Sequence, residues 1–139
     1  MQDCDLIIHT DGGSRGNPGP AACAFIAESE GKVLEKKSRY LDIATNNTAE
    51  YQAVILAFEW LIENRKKFEF NNIVFLLDSE LVIKQLSGVY KIKKTELRTF
   101  NLQIRNYMSN IETNIKFKHV PREQNKIADY LVNQELDKH

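Results

Sequence analysis

Apolar and polar residues alternate, cluster and break along this chain in a way that lays out its elements in order. Leu6–Thr10 predicts a first strand, with Gly12, Gly13, Gly16, Pro18 and Gly19 placed to stop it. Ala21–Ala27 is uninterrupted apolar sequence and predicts a second strand. Ser29-Glu30-Gly31 supplies a turn, and Lys32–Leu41 predicts a more polar third strand, so the chain opens with an antiparallel meander. Thr48–Arg65 has helical spacing, with Tyr51, Val54, Ile55, Phe58 and Ile62 on one side. Ile73–Leu77 is continuously apolar between helical stretches, which predicts a strand buried on both faces and paired in parallel. A short helix over Ser79–Leu86 ends at Ser87-Gly88, Val89–Lys94 is polar and lysine-rich, and Glu96–Ser109 predicts another helix. Asn114–Val120 alternates as a strand until Pro121, and Asn125–Leu136 predicts the last helix. The order βββαβααβα predicts an α/β fold: a mixed sheet with helices packed against it. With no internal repeat, low-complexity tract or linker, the expectation is a single domain over residues 1–139.

Composition narrows this picture in two ways. A chain of 139 residues that is 42% hydrophobic can bury a real core. Its 19 basic and 19 acidic residues cancel, so no overall field draws in a polyanion, and any nucleic-acid contact must rest on uneven local charge. Cys4 and Cys23 have no metal-type spacing and fall in different predicted strands, which reads as reduced thiols. The N-terminal sequence lacks a basic start and an apolar stretch long enough for secretion. The longest apolar run is far too short to span a bilayer. The expectation is a cytoplasmic protein with no membrane partner.

Four carboxylates each mark a distinct segment: Asp11 in HTDGGSRGNPGP, Glu50 in NNTAEY, Asp78 in IVFLLDS and Asp129 in NKIADYL. Acids at the mouths of buried elements are costly unless a cation neutralises them. Each also has a blander explanation. Asp11 can initiate a turn; its glycine-rich loop meets neither the dinucleotide nor the P-loop pattern. Glu50 can close a capping box with Asn47, yet it shares a helical face with Val54, Ala57 and Leu61. Asp78 can cap the helix that follows it, or stand where ligands gather at the carboxyl end of a parallel strand. Asp129 lies one turn inside the last helix, too deep to cap it, with a solvated surface position as the alternative.

The succession TDGG-S-R-GNPGP, NN-x-x-E opening a helix, LLDS, and VPRE-x-N-x-x-AD resembles type 1 ribonuclease H from about Ile7 to Val132. It is most similar to the short branch of that family, without basic protrusion or hybrid-binding domain. The resemblance implies a ribonuclease H-like fold: a five-stranded mixed sheet, first three strands antiparallel, with helices on both faces. It implies that Asp11, Glu50, Asp78 and Asp129 bind metal, namely two Mg²⁺ ions with Mn²⁺ able to substitute. The implied reaction is hydrolysis of the RNA strand of an RNA–DNA hybrid, leaving 5′-phosphate and 3′-hydroxyl ends, by a monomeric enzyme. Gly12, Gly13, Ser14 and Asn17 would line the substrate groove at the first loop, and Asn46 and Asn47 would approach the nucleic acid. Small residues and backbone amides suit the wide RNA minor groove and its 2′-hydroxyls.

Many family members carry a loop histidine that helps product leave, and the connection before the last helix is shorter here. Counting from one side lands on His119 and from the other on Arg122. His119 falls within strand alternation as a packing residue, so Arg122, beyond Pro121, is the preferred phosphate-facing catalytic group. Lys91, Lys93 and Lys94, with Lys84 nearby, form either a solvated edge or a modest contact to the DNA strand. Trp60 on a helix flank belongs to the core. Two other functions remain open: a catalytically weak nucleic-acid-binding module, or another nuclease or resolvase on the same fold. A pure binder gains nothing from buried anions, and the GNPGP and NN-x-x-E segments favour the ribonuclease H branch.

Overall fold

The structure, a computed structural model, describes residues 5–139. Its elements are β1 (Asp5–Ser14), β2 (Gly19–Ser29), β3 (Lys32–Ala44), α1 (Asn46–Asn64), β4 (Asn72–Leu77), α2 (Glu80–Leu86), α3 (Thr95–Ser109), β5 (Asn114–His119) and α4 (Lys126–Asp137), with a single 3-10 turn over Arg122–Gln124. They form one five-stranded sheet in the order β3-β2-β1-β4-β5. β1, β2 and β3 pair antiparallel, while β4 pairs in parallel with both β1 and β5. The five-stranded mixed sheet with an antiparallel start is therefore as the sequence predicts.

β2 is apolar from Ala21 to Ala27 because both its faces are covered there. Cys23, Phe25 and Ala27 point into the main core with α1, whereas Ala22 and Ala24 meet Val132 and Leu136 of α4 on the other face. α1 is buried from Ala49 to Leu61 apart from two positions, Gln52 and Glu59, since it lies between the sheet and α3. Phe58 stacks on Phe75 of β4 at 4.8 Å and on Tyr107 of α3 at 5.9 Å. Trp60 packs against Phe25 with ring centroids 5.8 Å apart, a core residue as expected. α3 contributes Leu97, Asn101 and Ile104, a spacing that places them on one face.

Four expectations need correction. The glycines do not stop β1 at Thr10; the strand runs through Asp11, Gly12 and Gly13 to Ser14 and pairs with β2 throughout. Gly12 is needed for packing, because a Cβ there would collide with the Ala49 backbone of α1. α1 begins at Asn46, capped by Thr45, whose hydroxyl accepts from Thr48 N at 3.2 Å. Neither Asn47 nor Glu50 forms the capping box. β4 alternates buried and half-buried positions rather than being buried on both faces, since α4 packs on β1, β2 and β3. His119 is exposed at the end of β5 and does not pack. Cys23 is a free, buried thiol, and Cys4 lies outside the described residues. Among the described residues no helix is long and apolar enough to cross a membrane.

Candidate metal centre and cleft

The sheet reverses its pairing at β1, between antiparallel β2 and parallel β4, and the acids collect at that point. Parallel pairing of β1 with β4 ends at His9 and Leu76, so the chain reaches Asp11 and Asp78 side by side just beyond it. Crevices at the carboxyl ends of strands beside such a switch are where ligands gather in α/β sheets. Glu50 enters from α1, held by the close approach that Gly12 permits; its Oε1 accepts from Gly12 N at 3.0 Å. Oxygens of Asp11, Glu50 and Asp78 all lie within 4.8 Å of one another.

Three anions this close, in a poorly hydrated site, repel. Burial first, then the Asp78 and Asp129 carboxylates, push Asp11 up from 3.8 to about 7, against the opposing pull of Glu50 and the Gly12 amide. Glu50 is held well above the ordinary carboxylate range by burial and by Asp11 and Asp78. Glu50 Oε2 is buried with no hydrogen-bond partner. An orphaned carboxylate oxygen beside two further acids is the donor set that a hard, oxygen-seeking cation requires.

Around the acids runs an open cleft of about 440 Å³, lined by Gly12, Gly13 and Ser14 on one side, Asn46 and Asn47 on a second, and Arg122 and Asp129 on a third. Asp129 is half-buried on α4 and belongs to this wall without joining the close set of three. Its Oδ1 lies 3.5 Å from Asn133 Nδ2. The cleft takes in Arg122, exposed on its 3-10 turn, and not His119. Asn17 stands outside the lining: its Oδ1 accepts from Asn46 N at 3.0 Å, stitching the turn after β1 to the start of α1. Asn46 Oδ1 in turn accepts from both Ser14 N at 2.9 Å and Ser14 Oγ at 3.0 Å. Of the lysines between α2 and α3, Lys91, Lys93 and Lys94 are exposed; Lys84 pairs with Glu80 at 3.6 Å and sits over the Tyr90 ring.

This geometry has close counterparts. The sequence pattern of the reverse transcriptase-like family matches residues 9–135. Ribonuclease HI of Halobacterium salinarum is 38% identical over 128 residues, covering 91% of this chain and 62% of that protein. The crystal structure of LC11-RNase H1 in complex with an RNA/DNA hybrid matches with a TM-score of 0.90 at 41% identity, over 96% of this chain and 97% of that one. The chain belongs to the type 1 ribonuclease H family. A bifunctional protein of Mycobacterium tuberculosis is 34% identical over 134 residues, 95% of this chain but only 35% of its own length. The chain thus spans roughly a third to three-fifths of these curated ribonuclease H relatives.

Sequence reasoning missed one residue of this ribonuclease H site. Asn125 stands in the VPRE-x-N-x-x-AD segment but was given no role beyond opening the last helix, yet it is 1% exposed and bonded to Thr10 O within β1 and to Asp78 just past β4. The signal available was its type: an asparagine four residues before an acid on the same helix.

Proposed function

We propose that this chain is a metal-dependent endonuclease that hydrolyses the RNA strand of RNA–DNA hybrids, leaving 5′-phosphate and 3′-hydroxyl ends. What carries this reading is the meeting of Asp11, Glu50 and Asp78 within 4.8 Å, with one buried Glu50 oxygen left without a partner. Asp11, Glu50, Asp78 and Asp129 would hold two Mg²⁺ ions, with Mn²⁺ able to substitute. When bound, such ions polarise the scissile phosphate and lower the pKa of the attacking water.

The remaining residues do protein work. Gly13 carries no bulk, so the RNA minor groove can approach the backbone beside the acids, while Gly12 lies next to it in the cleft wall and admits α1 with Glu50. Ser14 anchors Asn46 through Oδ1, which leaves the Asn46 amide hydrogens for the substrate backbone; Asn47 flanks it, and Asn17 fixes the turn that orients both. Arg122 presents several charged donors in a fixed fork, which suits it to steady a phosphate. The working unit we propose is one catalytic domain over residues 1–139, acting as a cytoplasmic monomer.

The test is a panel of labelled RNA–DNA, RNA–RNA and DNA–DNA duplexes with Mg²⁺, Mn²⁺ or chelator. Cleavage of the RNA strand of the hybrid, absent in chelator, is the expected result. Equal cleavage of DNA–DNA, or full activity in chelator, would overturn the proposal.

A further inference from the structure

Asn125 stands at the start of α4, where asparagine ordinarily turns its side chain onto the helix's own first amides. Here it makes no such bond. Its Nδ2 donates to Thr10 O, one residue before Asp11 within β1, at 2.8 Å and lies 3.5 Å from Asp78 Oδ2. Its Oδ1 lies 3.1 Å from His9 Nδ1. A side-chain amide has one accepting and one donating end, so whatever fixes one end fixes both. With Nδ1–H donating, His9 keeps Oδ1 turned to itself and thereby turns Nδ2 to Thr10 and Asp78. The opposite orientation would set Oδ1 against the Thr10 carbonyl and the Asp78 carboxylate, oxygen against oxygen. The far side of the imidazole, Nε2, lies 3.9 Å from Glu28 Oε1.

The same residue also begins the turn that carries the fourth acid, since Asp129 N donates to Asn125 O at 3.1 Å. Farther along, α4 rests on the sheet through a small apolar contact built around Ala22, Ala24, Val132 and Leu136, and through Ser38 Oγ to Glu135 and Arg15 to Asp137 near its far end. At its first turn, beside the buried Ala128, the Asn125 amide supplies a polar tie to β1 and to Asp78. We infer that Asn125, oriented by His9, is a positioning residue that ties Asp78 and the Asp129-bearing helix to β1 beside Asp11. It touches neither substrate nor reacting atoms, and acts through the carboxylates. The inference rests on the proposal that these acids bind metal.

Calorimetric titration with Mn²⁺ alone tests it, on the wild-type chain, Asn125→Ala, His9→Phe and His9→Asn. His9→Phe fills the site without a donor, and His9→Asn restores a donor near the position of Nδ1. Loss of an outer partner of a metal ligand typically costs about 10–100-fold in affinity or activity. Asn125→Ala and His9→Phe should weaken Mn²⁺ binding by that much and lower kcat on the hybrid while KM changes little; His9→Asn should recover most of both. If Asn125→Ala fails to fold, His9→Phe still decides the matter. Wild-type Mn²⁺ affinity in His9→Phe overturns the inference, and so does a loss that follows the melting temperature and is not recovered by His9→Asn. A wild-type chain that binds Mn²⁺ but cuts no duplex would sink the nuclease proposal alone, because the binding comparison needs no substrate.

Discussion

The two faces of the sheet hold their helices by different means. Under α1, Leu6, Ile8, Phe25, Phe75 and Leu77 belong to one large core with Phe58 and Trp60, and α3 closes it from outside. Under α4 the buried apolar set shrinks to Ala22, Ala24, Val132 and Leu136. Polar ties make up the difference: Arg15 with Asp137 at 2.6 Å, Ser38 Oγ to Glu135 at 2.7 Å, and the Asn125 amide at the other end. Asp11 and Asp78 hang from strands and Glu50 from α1, so strand pairing and a large core bear their mutual repulsion. Asp129 alone depends on the lightly packed helix. A close set of three and a looser fourth acid follow from that asymmetry.

The largest expected effect breaks the close set. Asp11→Asn and Asp78→Asn should abolish turnover with the fold intact, since each removes a charge and a ligand at nearly constant shape. A variant that keeps near wild-type rate at saturating Mg²⁺ would remove that residue from the ligand set. The same change carries a pH signature. A carboxyl whose folded value, about 7, lies above its ordinary 3.8 holds more protons folded than unfolded in that interval, so it costs stability as pH rises through it. In chelator the wild type should lose on the order of a few kcal/mol over that range from this group, and Asp11→Asn should flatten the loss. Melting curves across the interval, with and without Mg²⁺, measure it; added Mg²⁺ should also restore the lost stability.

Glu50→Gln should lower the hydrolysis rate by orders of magnitude while barely changing the melting temperature, because Thr45, not Glu50, caps α1. Thr45→Ala should do the reverse, at about 1 kcal/mol of stability. Rates and melts on the same samples separate ligand from cap.

How much of this was legible beforehand depended on how local the cause was. β2 could be read because Ala21–Ala27, seven buried residues, are contiguous. The end of β1 could not: glycine ordinarily marks a stop, and only the arrival of α1 explains why Gly12 belongs inside a strand. Four eligible caps in a row, Thr45, Asn46, Asn47 and Thr48, made the start easy to misplace: the sequence favoured Thr48 capped by Asn47, whereas Thr45 caps a helix beginning at Asn46, whose side chain engages Ser14 and whose N–H donates to Asn17. Asn125 was invisible as a hub because its partners Thr10 and Asp78 lie 115 and 47 residues away. The four acids stood out because each stands at the edge of a distinct apolar or helical run of sequence, which is a local property; that three converge and the fourth stands back is not.

Core truncation sharpens the contrast between faces. Phe58→Ala, beneath α1, should cost about 3–5 kcal/mol, whereas Leu136→Ala, beneath α4, should fall near about 2 kcal/mol, the low end for leucine. The smaller loss should nonetheless reduce turnover in fully folded protein, because it loosens the helix that carries Asp129. Unfolding curves and single-temperature rates check both halves. Equal costs on the two faces would contradict the asymmetry.

A smaller effect is expected at the cleft wall. Arg122→Ala should reduce turnover more than His119→Ala, since Arg122 lines the cleft and His119 does not. A large loss at His119 with an intact fold, and none at Arg122, would reverse the assignment.

The central claim is that Asp11 in β1, Asp78 past β4 and Glu50 at the start of α1 form one cation site, and Mn²⁺ anomalous scattering from crystals of the wild-type chain tests it most directly. The account predicts anomalous peaks among Asp11, Glu50 and Asp78, reaching toward Asp129, with the Glu50 oxygen that now lacks a partner among the ligands. Well-ordered crystals soaked in Mn²⁺ that show no peak there, with Asp11 and Glu50 sharing a proton instead, would contradict it.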